Sequence, residues 1–291
     1  MLLADNTGPK RFCSLSILFA YRKASAYNLI ISMRRIKLKR NLPQCILKVL
    51  LFAVAGVFAI FVVAALYIYL SLPDVRPLKQ SNPATTALIQ YRLKQAREDR
   101  RDYRIKQQWV SFDKIPQRLK DAVRITEDAG FYRHQGVDFT ELKEAVKKNW
   151  EEGEYVRGAS TITQQLAKNL FLTPKRSIFR KIKEYFIAKQ MEAYLSKTRI
   201  FYLYLNIIEF GPGVFGVEAA SRHYFQKSVS DLSLEEIVRL TAVIPKPLKE
   251  RPTGDSRWLK WKARWILDAL KRYNYIDQKE YEAVAARLHF S

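Results

Sequence analysis

Residues 49–72 carry no charged side chain and are rich in Val, Ala, Leu, Phe and Ile. As a helix rising about 1.5 Å per residue, such a stretch reaches roughly 36 Å, enough to cross a hydrocarbon core of about 30 Å with some tilt. A cleaved signal peptide has an apolar region of only about 7–15 residues, so the pattern predicts a membrane anchor. Tyr67, Tyr69 and Pro73 mark its end as an interfacial belt and a stop. Beyond it the apolar positions recur mostly at helical spacing. They predict a basic helix over 88–104 and a helix carrying Leu119, Ala122, Val123 and Thr126 that Gly130 ends. Further helices are predicted over 139–152, 160–171, 177–195, 217–225, 232–244, 258–273 and 277–287. In 177–195, Ile178, Ile182, Tyr185, Phe186, Met191 and Leu195 form the expected buried stripe. Residues 153–158 read as a loop, 200–208 as an apolar and aromatic segment, and Gly211-Pro212-Gly213 as a break. Convincing alternating strands are absent, so the fold class is mainly α.

This pattern divides the chain into a basic segment 1–48, a span 49–72, a linker and basic helix 73–107, a main domain 108–250 and C-terminal helices 251–291. Met33-Arg34-Arg35 resembles the normal start of an anchored protein, so 1–32 is expected to reflect an upstream start. The net charge of +23 points to an anionic partner. Nucleic acid is the usual first guess for such a charge, and the apolar span argues against it. Arg34, Arg35, Lys37, Lys39, Arg40 and Lys48 precede the span, which places them in the cytoplasm and the main domain outside the inner membrane. The segment after the span is also basic, so this is a preference. Arg97, Arg100, Arg101 and Arg104 form a solvated face or contact anionic head groups. Cys13 and Cys45 both fall on the cytoplasmic side, which excludes a disulfide framework or a Cys/His metal site in the exported part.

Glu127 and Asp128 sit side by side at a helix end, followed by Phe131, His134 and Gly136. A carboxylate beside apolar neighbours can have its pKa raised enough to accept a proton near neutrality. An isolated pair of this kind is more often a solvated helix end, with the histidine packed nearby. The next dense segment shifts the balance. Ser160 or Thr161 is a natural N-cap and Gln164, three residues after Thr161, completes a capping-box spacing, which leaves two adjacent glutamines, Gln164 and Gln165, followed by Lys168 unexplained. Polar amides with a cation one turn on suit a sugar or phosphate ligand. Arg180 and Lys181 precede Glu184 by four and three residues, the weaker order for helix stability.

E-D-x-x-F-x-x-H-x-G, G-x-S-T-I-T-Q-Q-x-x-K-N and R-K-x-x-E, in this order, resemble the peptidoglycan glycosyltransferases, glycosyltransferase family 51. The likeness continues through Tyr204-Leu205-Asn206, Glu209-Phe210-Gly211-Pro212-Gly213 and 216–225, covering about residues 108–250, and the later blocks are most similar to the monofunctional biosynthetic transglycosylases. The resemblance implies a lysozyme-like helical domain behind a single-span anchor in the bacterial inner membrane. It implies polymerisation of lipid II, a disaccharide-peptide carried on polyprenyl pyrophosphate, with inversion and no covalent intermediate. By the same resemblance Glu127 is the general base, with Asp128 shaping its field, and Glu184 is the second acid. Lys168, Arg176, Arg180 and Lys181 face the phosphates, and His134, Ser160, Thr161, Gln164 and Gln165 contact the substrate. The resemblance fixes no cofactor and leaves open a divalent cation, Mg or Mn, at Glu184. Expected partners are lipid II, the growing glycan strand, membrane lipids and other cell-wall synthesis or division proteins.

Tyr202 stands where many relatives carry Glu, which weakens any role for that position. The chain ends soon after the domain, so crosslinking is expected to fall to another protein. The competing readings are a muramidase-like hydrolase anchored to the membrane and a non-catalytic cell-wall scaffold. A hydrolase of neutral glycosidic bonds has no need of the cation set, and the intact acids argue against a scaffold. Trp258, Trp261 and Trp265 share one helix face among Arg257, Lys260, Lys262 and Arg264. They either pack onto the domain or form an interfacial helix on acidic lipids.

Overall fold

A computed structural model of the chain describes residues 13–152, 160–175 and 177–288, without the side chains of 13–27, 35–43 and 149. The expected loop 153–158 and Arg176 lie outside the described residues, as do residues 1–12 of the basic segment. Two compact units emerge, Met1–Leu70 and Ser71–Ser291.

The first unit is one helix, α1 (Cys13–Leu70). Its part Gln44–Leu70 contains an 18-residue window with a mean hydropathy of 3.0 and is long and apolar enough to cross a membrane. A helix satisfies its own backbone polar groups, the condition for lying in hydrocarbon. It stops two residues before the expected end because Pro73 disfavours helical geometry at the residue ahead of it.

The second unit is built from ten further helices among the described residues, with a small sheet. In chain order these are α2 (Ala87–Glu98), β1 (Lys106–Gln107), α3 (Gln117–Glu127), α4 (Phe139–Glu152), α5 (Ile162–Phe171), α6 (Ile178–Tyr194), α7 (Lys197–Ile207), β2 (Glu209–Gly211), β3 (Val214–Phe215), α8 (Val217–Phe225), α9 (Leu234–Ala242), α10 (Arg257–Arg272) and α11 (Gln278–Arg287). Helices α5 and α7 are buried on nearly every side: Ile162, Leu166, Ala167 and Leu170 in the first, Ile200, Phe201, Leu203, Tyr204 and Leu205 in the second. A helix apolar all round belongs at the centre. Around them α2, α6 and α7 pack on α5, and α3, α9 and α10 pack on one another.

Several expectations need correcting. The fold is mainly α as expected, but it also carries a small sheet that no alternating pattern announced: β1 pairs parallel with β3, and β2 pairs antiparallel with β3. Strands of two or three residues are too short to show an alternating pattern. The basic helix ends at Glu98, not at 104. Arg100 takes a left-handed φ of 53°, and the Arg100 and Arg101 amides donate to the Arg97 and Ala96 carbonyls in a Schellman closure. Such closures usually carry Gly, so this one left no signal. Helix α3 ends at Glu127 because Asp128 leaves helical geometry (φ −165°), three residues after which comes Phe131 in the core; Gly130 is not the terminator. The stripe on α6 is also rotated. Met191 and Leu195 are buried as expected, but Ile178 is 80% exposed, Phe186 is exposed, and Glu184 points inward.

Asn206 is fully buried at the end of α7. Its Oδ1 accepts from the Val110 amide at 2.9 Å, and its Nδ2 donates to the carbonyls of Val110 (3.2 Å) and Tyr202 (2.9 Å). The segment entering α3 is thereby tied to the central helix that carries Tyr204.

Candidate active site

The end of α3 leaves Glu127 half-buried and turns Asp128 inward. The Asp128 carboxylate accepts from the Ile162 amide at 3.0 Å and from His134 Nε2 at 2.9 Å. It therefore sits at the positive end of α5, where an anion is favoured. Thr161 caps α5 in a capping box with Gln164 and donates its hydroxyl to the Gly136 carbonyl at 2.6 Å. Gly136 has φ +87°, and a Cβ there would lie 3.2 Å from the Ala188 carbonyl oxygen, so only glycine fits this crossing without strain. Asp128, His134, Thr161 and Gly136 thus join the two dense motifs. Asp128 is bonded by His134 Nε2 and by the Ile162 amide, so this pair belongs to the network that ties the end of α3 to the start of α5.

Glu127 Oε2 accepts from Gln165 Nε2 at 2.9 Å, and Gln165 Oε1 accepts from the Tyr204 hydroxyl at 3.0 Å. The ionised Glu127 carboxylate can only accept, so it takes the Gln165 amide NH2 and leaves the amide oxygen to the Tyr204 hydroxyl. Burial pushes the Glu127 carboxyl above the usual range; the Gln165 bond, Lys262 and Lys168 oppose that, and Asp128 adds to it. Burial also drives the Tyr204 hydroxyl well above its ordinary pKa, with Glu127 and Asp128 contributing, so it stays a donor. Tyr204→Phe should leave the fold intact and lower turnover about tenfold, because a freed amide can present its oxygen to Glu127. Unchanged turnover in a lipid-polymerisation assay would remove Tyr204 from the site.

On α6, Arg180 donates to Glu184 Oε2 at 2.7 Å, and Lys181 pairs with Glu184 Oε1 while reaching the exposed Ser160 hydroxyl at 3.1 Å. Glu184 is almost fully buried, so it fixes two cations at the rim of a cleft. Burial lowers the Lys168 ammonium; Glu184 and Glu127 pull it back up, and Arg180 and Lys181 lower it further. Lys168, Arg180, Lys181, Ser160, Gln164 and Gln165 line a cavity of about 890 Å³ whose apolar wall includes Phe139, Leu142 and Ile178. A second cavity, of about 540 Å³, holds Glu127 and is lined also by Ser160, Thr161, Lys148, Trp261, Lys262 and Trp265. Ser160 belongs to both, so Glu127 and the cations flank one groove.

The donor set suits a metal ion poorly. Both Glu184 oxygens already carry a cation, and no group of three or more His, Cys, Asp or Glu among the described residues could hold one. The tertiary structure also adds residues that had no assigned role. Tyr204 was visible only as part of Tyr204-Leu205-Asn206. Lys262 was visible only as one cation of a basic helix. The tryptophans divide: Trp258 is half-buried with Lys246 4.0 Å from its ring centre, whereas Trp261 and Trp265 are exposed along the Glu127 cavity. Tyr202 packs at the rim of the domain, its hydroxyl accepting from Asn82 at 3.0 Å.

Residues 94–271 match the family model described as Transglycosylase, a match running from within α2 to within α10. Among curated proteins, the chain is 42% identical over 218 residues to the biosynthetic peptidoglycan transglycosylase of Methylobacillus flagellatus, covering 75% of this chain and 95% of that protein. It is 46% identical over 166 residues to the protein of the same name from Dechloromonas aromatica, covering 57% of this chain and 72% of that one. The crystal structure of penicillin-binding protein 1A from Haemophilus influenzae aligns at a TM-score of 0.36 and 22% identity, over 62% of this chain and 17% of that chain, too low to argue the fold from. With the family model spanning more than half of its length and relatives above two-fifths identity, the chain belongs to the transglycosylase family.

Proposed function

We propose that the protein is a peptidoglycan glycosyltransferase that extends glycan strands from lipid II at the outer face of the bacterial cytoplasmic membrane. The single observation that carries this reading is the placement of a base with raised pKa and a buried-carboxylate-anchored cation cluster on the two sides of one groove. Glu127 takes the proton of an acceptor sugar hydroxyl as that oxygen bonds to the anomeric carbon of the donor. The anomeric carbon–pyrophosphate bond breaks, and its electron pair leaves with the lipid pyrophosphate. Lys168, Arg180 and Lys181 stabilise that negative charge. Arg suits bidentate contact with phosphate and Lys acts as a point charge. Displacement from one face inverts the anomeric centre. Gln165, held by Tyr204, keeps the base oriented, and no step passes through a metal ion.

A polyprenyl chain needs an apolar path out of such a site. The exposed apolar residues Phe139, Leu142 and Val146 of α4 and Ile178 and Phe179 of α6 supply one beside the cation cluster. They also explain the rotation of α6: its apolar positions serve a lipid tail while its acid serves the cations. A hydrolase of neutral glycosidic bonds would need neither feature.

The test is to incubate the detergent-solubilised full chain with labelled lipid II; glycan polymer supports the reading, and release of short sugars without polymer overturns it. Lys168→Met should raise the concentration of lipid II needed for half-maximal rate and slow pyrophosphate departure, lowering kcat/KM by about 10²-fold. Normal kinetics would place the phosphates elsewhere. The pH profile should be bell-shaped. Activity requires Glu127 deprotonated, with its pKa raised, and Lys168 protonated, with its pKa lowered. The acid limb should therefore lie above the ordinary carboxylate range and the alkaline limb below the ordinary lysine range.

A further inference from the structure

We propose that Lys262 is a positioning residue for the reaction: seated on the Trp265 ring at the wall of the Glu127 cavity, it holds the general base as a carboxylate. This rests on Glu127 being the base, as proposed above. The two neighbouring cations of the same helix are engaged elsewhere: Lys260 pairs with Asp255 at 2.8 Å and Arg264 with Asp268 at 3.0 Å. Lys262 differs. Its ammonium lies 4.1 Å from the centre of the Trp265 ring, and no carboxylate among the described residues forms an ion pair with it. A cation over an indole face is held in place without being neutralised. Its positive field is therefore left for the cavity it lines, and Glu127 lines that cavity too.

The charges around Glu127 come from several elements: Asp128 beside it, Lys168 from α5, the neutral Tyr204 from α7, Lys262 from α10, and Asp138, Glu141 and Lys148 lining the cavity from α4 and the residue before it. Among those that pull the carboxyl down, Lys262 acts more strongly than Lys168, whose charge is shared with Glu184. The coupling is mutual: burial pushes Lys262 down, and Glu127 pulls it back up. Lys168 is also drawn toward the phosphate side. A second cation is thus dedicated to the base on the side away from the leaving group.

The experiment compares the parent, Lys262→Met, Lys262→Arg and Trp265→Leu as full chains in detergent, recording lipid II polymerisation against pH. In parallel, the Glu127 carboxylate is titrated by infrared difference against Glu127→Gln. Lys262→Met should move the acid limb and the infrared titration up by about one pH unit. That is a loss of about tenfold on the limb that vanishes on the plateau. Lys262→Arg should keep the parent's limb, and Trp265→Leu should move it in the same direction by less. A limb and titration unmoved in Lys262→Met, or a loss equal at every pH, overturns the proposal. If the parent makes no polymer the proposed function fails, and the infrared arm still decides the role of Lys262. If Lys262→Met does not fold, a Trp265→Leu titration at the parent's position overturns it and a raised one supports it.

Discussion

Replacing Glu127 with glutamine should reduce glycan polymerisation about 10²–10⁴-fold, the range typical of losing a positioned general base. The fold should survive, because Glu127 is half-buried at the last residue of α3 and its side chain is bonded, among the described residues, by the Gln165 amide. A glutamine of the same shape can offer its oxygen to that amide. Binding of lipid II should change little, since the cations proposed to face its pyrophosphate lie across the groove on α5 and α6. Rate and binding measured on the same preparation check both parts. A mutant that polymerises near the parent's rate would show that another group takes the proton. Loss of binding in parallel with rate would mean that Glu127 holds substrate and does not act as the base.

Asn206→Ala should be the most damaging substitution for the domain outside the groove. It removes three hydrogen bonds at a fully buried position and leaves the Val110 amide and carbonyl without the partner that tied them to α7, while the Tyr202 carbonyl keeps only its helical bond. At about 1–3 kcal/mol for a buried unpaired group, the loss should be about 3 kcal/mol or more. For a domain of this size that lowers Tm by about 6–12 °C. Asn206→Asp should not rescue it, because a carboxylate cannot donate to two carbonyls. Thermal unfolding in detergent reads both variants, and a melting temperature unchanged in Asn206→Ala would mean that the network carries no stability. Turnover should fall with stability, since α7 also carries Tyr204 to Gln165.

Local rules were enough for much of this protein. An uninterrupted apolar run makes a spanning helix because every backbone group must be paired inside hydrocarbon, whatever else the chain does. Thr161 and Gln164 form their capping box because both partners lie within one turn, and Ser177, Ser233 and Asp277 start their helices for similar reasons. The order of the acidic, amide and basic motifs was likewise legible, together with the family that they resemble. The end of α2 was not, because Arg100 adopts a left-handed conformation without the glycine that usually marks one.

The site itself depends on choices that periodicity cannot make. Helix α6 could bury either its apolar stripe or Glu184, and only packing against α5 turned the acid inward to hold Arg180 and Lys181. The base is oriented by Gln165 and Tyr204, 38 and 39 residues apart from their respective partners in sequence. Lys262 enters from a helix whose sequence pattern suits a lipid surface equally well. The sequence by itself therefore determined which residue types are present and most of the helices, though not α7, which read only as an apolar and aromatic segment, since the others follow from contacts within a few turns. The tertiary structure decided which face of each helix meets which neighbour. That choice is a competition among burial, ion pairing and shape, and it is settled only when all the helices are present.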